Sequence, residues 1–328
     1  MTKPAGLKLV ERDADGVDLA FRADVLAGLA EAQKAIPARW FYDDAGSQLF
    51  EDITQLPEYY PTRAETEILS TRASEIADLI GEGRAVVEFG SGSSVKTPLL
   101  LSACRPSAYV PLDIAGDFLR ASSAALSEKF PGLPVLPVEA DFMRSVELPA
   151  EVTDLPKLGF FPGSTIGNMI ARTATDLLRT MRATLGEGAL LLIGMDLVKD
   201  EDVLLAAYDD AAGVTAAFNL NLLERINREL DGDIPVDAFA HEARWNDGFA
   251  RIEMHLVARR DVTFAVSGER FAMAAGESIH TENSHKFTKR SGQMLLAAAG
   301  WEPLARWTDA DKRFSLVLAE SRPARSAP

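Results

Sequence analysis

Apolar residues keep two rhythms along this chain. Short runs recur from residue 85 onward: Val86-Val87, Ala108 to Leu112, Val135 to Val138, Leu158 to Phe161 and Ala189 to Ile193. Runs of this length and composition read as buried strands. Between them, Leu99 to Ala103, Phe118 to Phe130 and Arg172 to Leu185 keep a helical period. Strand alternating with helix predicts a parallel sheet with crossover helices. Upstream, Val17 to Ile36 carries Leu19, Phe21, Val25, Leu26 and Leu29 at near-helical spacing, and Pro37 ends it. Leu49 to Ile53 reads as a further helical turn, and Thr66 to Ile80 as an amphipathic helix leading into the first strand. Past Ile193 the rhythm changes. Asp200 to Leu230 reads as one long helical stretch, and Arg251 to Ala258 and Val262 to Val266 as strands. Residues 276–287 return the chain to the sheet. Met294 to Ala299 reads as a helix with Gly300 as its C-cap. Gly300 to Thr308 and Phe314 to Glu320 form a closing antiparallel pair.

The fold class expected is therefore α/β: a Rossmann-like sheet with an inserted α+β segment. Three parts are expected. Residues 1–80 are an N-terminal helical segment contributing to the active site. Residues 81–200 with 286–322 are the sheet domain. Residues 201–285 are an inserted substrate-binding domain.

Composition narrows the function classes. At 328 residues with 47% apolar content, the chain can bury a substantial core. A net charge of −15 disfavours nucleic acid and anionic membranes, both of which attract basic surfaces. The single cysteine, Cys104, cannot form an internal disulfide and follows an apolar run, so it reads as packing in a reducing compartment. Met1 to Val10 lacks a signal-peptide core, and no run of about 18 apolar residues suggests a membrane span. A soluble, cytoplasmic, monomeric protein is expected.

The chemistry gathers at strand ends. Val86 to Thr97 reads VVEFGSGSSVKT. Gly90 and Gly92 let the backbone turn sharply beside a ligand, and Ser93 and Ser94 are cap material for a helix starting near Lys96, with Pro98 in its first turn. The dinucleotide fingerprint needs a third glycine, and Val95 stands there, which disfavours a nicotinamide oxidoreductase. What remains, E-x-G-x-G, resembles motif I of class I S-adenosylmethionine (SAM) methyltransferases. Asp113 ends the second strand about 20 residues on, where an acid accepts from ribose hydroxyls. Asp141 and Phe142 end the third, offering a carboxylate for an adenine amine and a ring for stacking. The fourth runs into Gly163, Gly167 and Asn168, suited to close substrate approach. Four histidines are present, and His280 and His285 are five apart with no cysteine or third ligand beside them, so no metal is expected.

Longer stretches carry a more specific likeness. WFYDDAGSQLFEDITQLPEYYPTR, EFGSGSSVKT, FFPGSTIGN, YDDAAGVTAAFN and the E-x-S of TENSHKF resemble the histidine-specific Nα-methyltransferases of ergothioneine biosynthesis, over about residues 20–320. The resemblance implies transfer of three methyl groups from SAM to the α-amine of L-histidine, giving hercynine and S-adenosylhomocysteine without metal. It implies SAM contacts at Tyr42, Gly90, Lys96, Asp113, Asp141 and Phe142. It implies histidine contacts at Tyr59, Gly163, Asn168, Tyr208, Glu282 and Ser284, with Gly163, Asn168 and Tyr208 nearest the chemistry. Tyr60, adjacent to Tyr59, is the competing assignment. Asn283 and His285 around Ser284 depart from some members of the family and bear on fine substrate preference.

Two other functions use the same residues differently. One is methylation of another aromatic amino acid such as tryptophan, against which Glu282 argues, since a carboxylate suits an imidazole better than an indole. The other is a SAM-binding module without turnover, which would have no use for the second polar set of Tyr59, Asn168, Tyr208 and Glu282.

Overall fold

The computed structural model describes residues 16–92, 96–114 and 116–322. Ser93 and Ser94, expected to cap a helix, and Val95, at the missing-glycine position, lie outside the described residues. So do residues 1–15, with the stretch searched for a leader, and the tail 323–328.

The first elements are α1 (Leu19–Ala30), α2 (Asp44–Gln55), α3 (Pro61–Thr71), α4 (Ala73–Ile80), β1 (Ala85–Phe89), α5 (Thr97–Cys104) and β2 (Ala108–Asp113). Next come α6 (Gly116–Lys129), β3 (Val138–Glu139), β4 (Lys157–Phe161), α7 (Ala171–Leu185) and β5 (Leu190–Asp196). After these are α8 (Glu201–Tyr208), α9 (Val214–Glu229), β6 (Phe239–Asn246), β7 (Arg251–Ala258), β8 (Val262–Val266) and β9 (Glu269–Met273). The chain closes with β10 (Ser278–His285), α10 (Lys289–Ala298), β11 (Trp301–Thr308) and β12 (Phe314–Ser321). Two compact units result: residues 61–198 with 285–328, and residues 1–60 with 199–284.

The first unit is built on a seven-stranded sheet of order β11-β12-β5-β4-β1-β2-β3. β1 pairs in parallel with β2 and β4, and β4 with β5. β12 runs antiparallel to β5 and β11, as the closing pair requires. β1 and β5 are buried along their whole length, which is why they read as unbroken apolar runs rather than alternating ones. Two elements differ from expectation. The stretch from Thr66 to Ile80 is two helices, broken at Arg72, whose φ of −110° and ψ of 10° leave the helical region. The third strand is only two residues long, and Val135 adds a single bridge to Tyr109. Pro137 has no N–H to donate, so the ladder cannot run from Val135 to Val138.

The second unit packs α9 and the N-terminal helices against a three-stranded sheet of order β10-β7-β6. Phe21, Val25, Leu29, Ile36 and Phe41 share a core with Phe218, Leu222 and Leu256. The N-terminal chain joins the free edge of β10: Ile36 N donates to His280 O at 2.9 Å, and His280 N to Lys34 O at 2.8 Å. The stretch from Asp200 to Leu230 is two helices rather than one. The first ends at Tyr208 with Asp209 as its C-cap, and Asp210 caps the second, accepting from Val214 N at 2.9 Å and Thr215 N at 2.7 Å, while Gly213 takes a φ of 75°. No helix among the described residues is long and apolar enough to cross a membrane.

Candidate active site

The glycine turn is pinned from below. Glu88, 1% exposed, accepts from Thr97 Oγ1 at 2.7 Å and from Tyr109 OH at 2.6 Å, which ties the end of β1 to the start of α5 and to β2. Burial raises the Glu88 carboxyl to about 7, against the pull of its hydrogen bonds from Tyr109 and Thr97. Gly90 and Gly92 take φ of 72° and 41°, where side chains are strained. Gly92 N donates to Asp113 Oδ2 at 3.1 Å, so the expected ribose acid also fixes the loop. Phe142 lies beside Gly90: a Cβ there would meet its ring at 3.5 Å. Its edge is held by Phe89 and Phe161, at centroid distances of 6.2 and 6.1 Å. Asp141 accepts from Met143 N at 3.0 Å. Five of the predicted residues, Gly90, Gly92, Asp113, Asp141 and Phe142, thus stand at the ends of β1, β2 and β3.

Lys96 and Gly163 meet through a residue that pattern reading passed over. Glu65 of α3 is fully buried. Its Oε2 pairs with Lys96 Nζ and accepts from Gly163 N at 2.9 Å. Its Oε1 has no hydrogen-bond partner among the described residues. Gly194 on β5 makes room for it, since a Cβ there would lie 2.5 Å from Oε1. The signal was present: Glu65, Ile68 and Leu69 lie on one helix face, so the apolar stripe of α3 carries an acid. Gly163 has a φ of 77°, and the next residues form a 3₁₀ turn, Thr165–Asn168, which carries Asn168. His285 Nδ1 holds that turn through Gly167 O at 2.9 Å.

The second unit gathers the other polar set. β10 is extended, so Glu282 and Ser284 lie two apart on one strand, and the alternative of an exposed helix cap does not apply. Tyr208 OH and Ser284 Oγ are 2.7 Å apart. Tyr59 stands edge-on to Tyr208, at a centroid distance of 6.3 Å. Tyr60 is 3% exposed and engaged elsewhere, its hydroxyl accepting from Lys199 Nζ at 2.5 Å. Tyr42, expected among the cofactor contacts, lies with this set. Tyr42 as a residue is 44% exposed, but its hydroxyl end is the desolvated part, and that desolvation, with Glu282, Tyr59 and Tyr208 close by, raises its pKa above that of an ordinary phenol.

The histidines divide differently from their spacing. Glu253, His255 and His280 have ligand-type atoms within 4.8 Å of one another. The His255 and His280 rings are stacked, 14° from parallel, so their in-plane lone pairs do not converge on one point. Each group already has protein partners. His255 bonds Ser278 Oγ and Glu253, His280 Nε2 donates to Glu282 O at 3.0 Å, and Glu253 takes Asn246 and Arg251. The cluster is a hydrogen-bonded network. Cys104 is buried, and desolvation pushes its thiol up to about 12, away from nucleophilic use.

The family model described as "Histidine-specific methyltransferase, SAM-dependent" matches residues 21–321. The chain belongs to this family. A histidine N-alpha-methyltransferase of Mycolicibacterium smegmatis is 45% identical over 316 residues, covering 93% of this chain and 96% of that protein. One from Mycobacterium tuberculosis is 42% identical over 315 residues, with 93% and 96% covered. A 4-dimethylallyltryptophan N-methyltransferase of Epichloe festucae var. lolii is 25% identical, with 94% and 96% covered. The first unit suits the family's methyl donor: no described residue lies within 4 Å of where a Gly92 Cβ would sit, Phe142 offers an apolar ring, and Asp113 an acceptor.

Proposed function

We propose that this methyltransferase transfers three methyl groups from S-adenosylmethionine to the α-amine of L-histidine, yielding hercynine, as the methylating step of ergothioneine biosynthesis. The observation that carries this reading is the polar set in the second unit: Tyr208 bonded to Ser284, with Glu282, Tyr59 and Tyr42 around it. A module that only binds a nucleoside has no need of such a set. Glu282 and Ser284 offer an acceptor and a hydroxyl to an imidazole, whose two nitrogens can use both. The indole of tryptophan has one N–H and no ring acceptor, so it cannot match both groups at once.

Bound by Gly90, Lys96, Asp113, Asp141 and Phe142, S-adenosylmethionine supplies an electrophilic methyl group. The residues of the chain need only hold a neutral amine in line with it, because displacement at a methyl carbon is governed by proximity and alignment. Asn168 and Tyr208 orient the amine and carboxylate by hydrogen bonds without acting as nucleophiles. Gly163, without a side chain, leaves space for the growing ammonium. Tyr42 keeps its phenol proton at neutral pH, so it donates a hydrogen bond and does not serve as the base; the amine proton goes to water.

The acidic charge of −15 supports a small-molecule partner and no nucleic acid. A monomer in the cytoplasm completes the proposal, with the buried free thiol of Cys104 in keeping with a reducing compartment. The test is incubation with S-adenosylmethionine and the twenty amino acids, read by mass spectrometry. Histidine alone should gain methyl groups. Methylation of another amino acid, or of none, would overturn the reading.

A further inference from the structure

Behind the polar set lies a buried chain of hydrogen bonds made by groups that the proposed mechanism does not use. His241 of β6 has a side chain only 1% exposed. Its Nε2 is 2.7 Å from Tyr208 O, and its Nδ1 is 2.8 Å from Asn219 Nδ2. Asn219 of α9 is fully buried, and its Nδ2 also reaches His255 O at 3.2 Å. Its Oδ1 accepts from Thr281 Oγ1 at 2.8 Å, and Thr281 is 2% exposed.

The protons in this chain are fixed by elimination. His255 O is a carbonyl and can only accept, so the Asn219 nitrogen faces it and the amide cannot be reversed. The second Asn219 N–H then points at His241 Nδ1, which must be unprotonated. Tyr208 O is also a carbonyl, so His241 Nε2 must carry the proton. Every bond requires the neutral imidazole with its proton on Nε2. A doubly protonated ring would set two N–H groups against each other. The surroundings agree: desolvation lowers the His241 pKa, outweighing its bond to Tyr208 O and the nearby Asp209, Asp210 and Glu242.

The two ends of the chain adjoin the substrate-reading side chains, a backbone carbonyl at one end and a threonine hydroxyl at the other. One end is the carbonyl of Tyr208, whose hydroxyl bonds Ser284. The other is Thr281, the neighbour of Glu282. We infer that His241, through Asn219, is a positioning residue that locks Tyr208 to the Thr281–Ser284 segment, so that the groups contacting the amino-acid substrate are held in one register. The inference rests on the proposed role of Tyr208 in substrate binding.

Three variants at one position test it. In His241→Gln the amide nitrogen stands near the place of Nε2 and keeps the bond to Tyr208 O. In His241→Asn the side chain is too short to reach that carbonyl. His241→Leu removes both bonds. Steady-state kinetics should show KM for histidine rising about tenfold in His241→Leu and His241→Asn but within about threefold of the parent in His241→Gln, with KM for S-adenosylmethionine unchanged in all three. Thermal melting separates this from general loosening, and if His241→Leu does not fold, the Gln and Asn pair still decides. Equal behaviour of that pair, or equal rises in both KM values, would overturn the inference. Tyr208→Phe is the control. If it raises KM for histidine while His241→Leu does not, the positioning role alone fails. If Tyr208→Phe has no effect, the substrate role of Tyr208 fails and this inference with it.

Discussion

Glu282 and Ser284 sit at alternate positions of an extended strand, which makes the carboxylate and the hydroxyl neighbours on one face. A carboxylate accepting from an imidazole N–H contributes about 1.5–3 kcal/mol, since one partner is charged. Glu282→Ala should therefore lower kcat/KM for histidine by roughly 10- to 100-fold. Tryptophan should lose less, because its larger ring and single N–H fit the imidazole-sized carboxylate and hydroxyl pair poorly in the parent. A competition between the two amino acids for parent and variant measures this; an unchanged histidine-to-tryptophan ratio would move the specificity elsewhere, with Tyr59 next. Asp113 makes a second case. It holds Gly92 N as well as offering itself to a ribose, so Asp113→Ala removes a ligand contact and loosens the loop. Binding of S-adenosylmethionine should weaken by about 1–3 kcal/mol in calorimetry, with histidine recognition less affected. These residues could be named from the sequence because each ends a strand or lies in a long family motif. Glu65 and His241 could not, because their roles lie in partners distant in sequence: Gly163 stands 98 positions from Glu65, and Tyr208 33 from His241.

Among the elements, the inner strands of the large sheet were legible because burial on both faces leaves them mostly apolar. β6 was not, since Phe239–Asn246 carries His, Glu, Arg and Asn and is half-buried along most of its length, with no apolar alternation. β9 is five residues with a charged start. The helix breaks at Arg72 and at Asp209 to Gly213 were hidden because helical period continues across them. The sheet β10-β7-β6 nevertheless has a property that follows from its residues. His241, His255 and His280 all titrate below an ordinary histidine, chiefly through desolvation, and His255 is pushed down to about 4. Such a group is neutral when folded and takes a proton more readily when unfolded. The unfolded chain binds more protons as pH falls from 6.5 toward 4, so stability is present above 6.5 and is lost through that window. For His255 the full loss is on the order of 3 kcal/mol. The melting temperature should fall between pH 7 and 5, and less steeply in His255→Gln. The difference in slope between parent and variant isolates the ring, and equal slopes in the two would mean that His255 is not buried as a neutral group. Glu88 acts in the opposite direction in parent and variant alike, its raised pKa withdrawing stability as pH climbs from about 4.5 to about 7.

At the scale of the whole molecule, the chain builds one unit from two distant stretches. Residues 1–60 join 199–284, and Gln33 reaches Ser278 O across 245 positions. Local periodicity cannot show such a pairing, which is why only the later stretch stood out as an insertion. The joining puts Tyr42 and Tyr59 from the N-terminal part around Tyr208 and Glu282 from the later part. That arrangement bears on how far the reaction proceeds. Each transfer leaves a cation on nitrogen, and a further transfer needs that cation to lose a proton to water. Aromatic faces favour an alkylated ammonium by about 0.5–2 kcal/mol, so partly methylated histidine should be retained and should react again. The third transfer leaves no proton on nitrogen, and the reaction must stop there. A time course with histidine should show mono- and dimethylhistidine rising and falling and trimethylhistidine accumulating, and either intermediate supplied alone should be carried to the same end. No group in the proposed mechanism needs a divalent ion, so a chelator should leave the rate unchanged. A plateau at one methyl group would show that the site does not accommodate the larger ammonium. Loss of activity with chelator, restored by a divalent ion, would show that alignment of a neutral amine is not the whole mechanism.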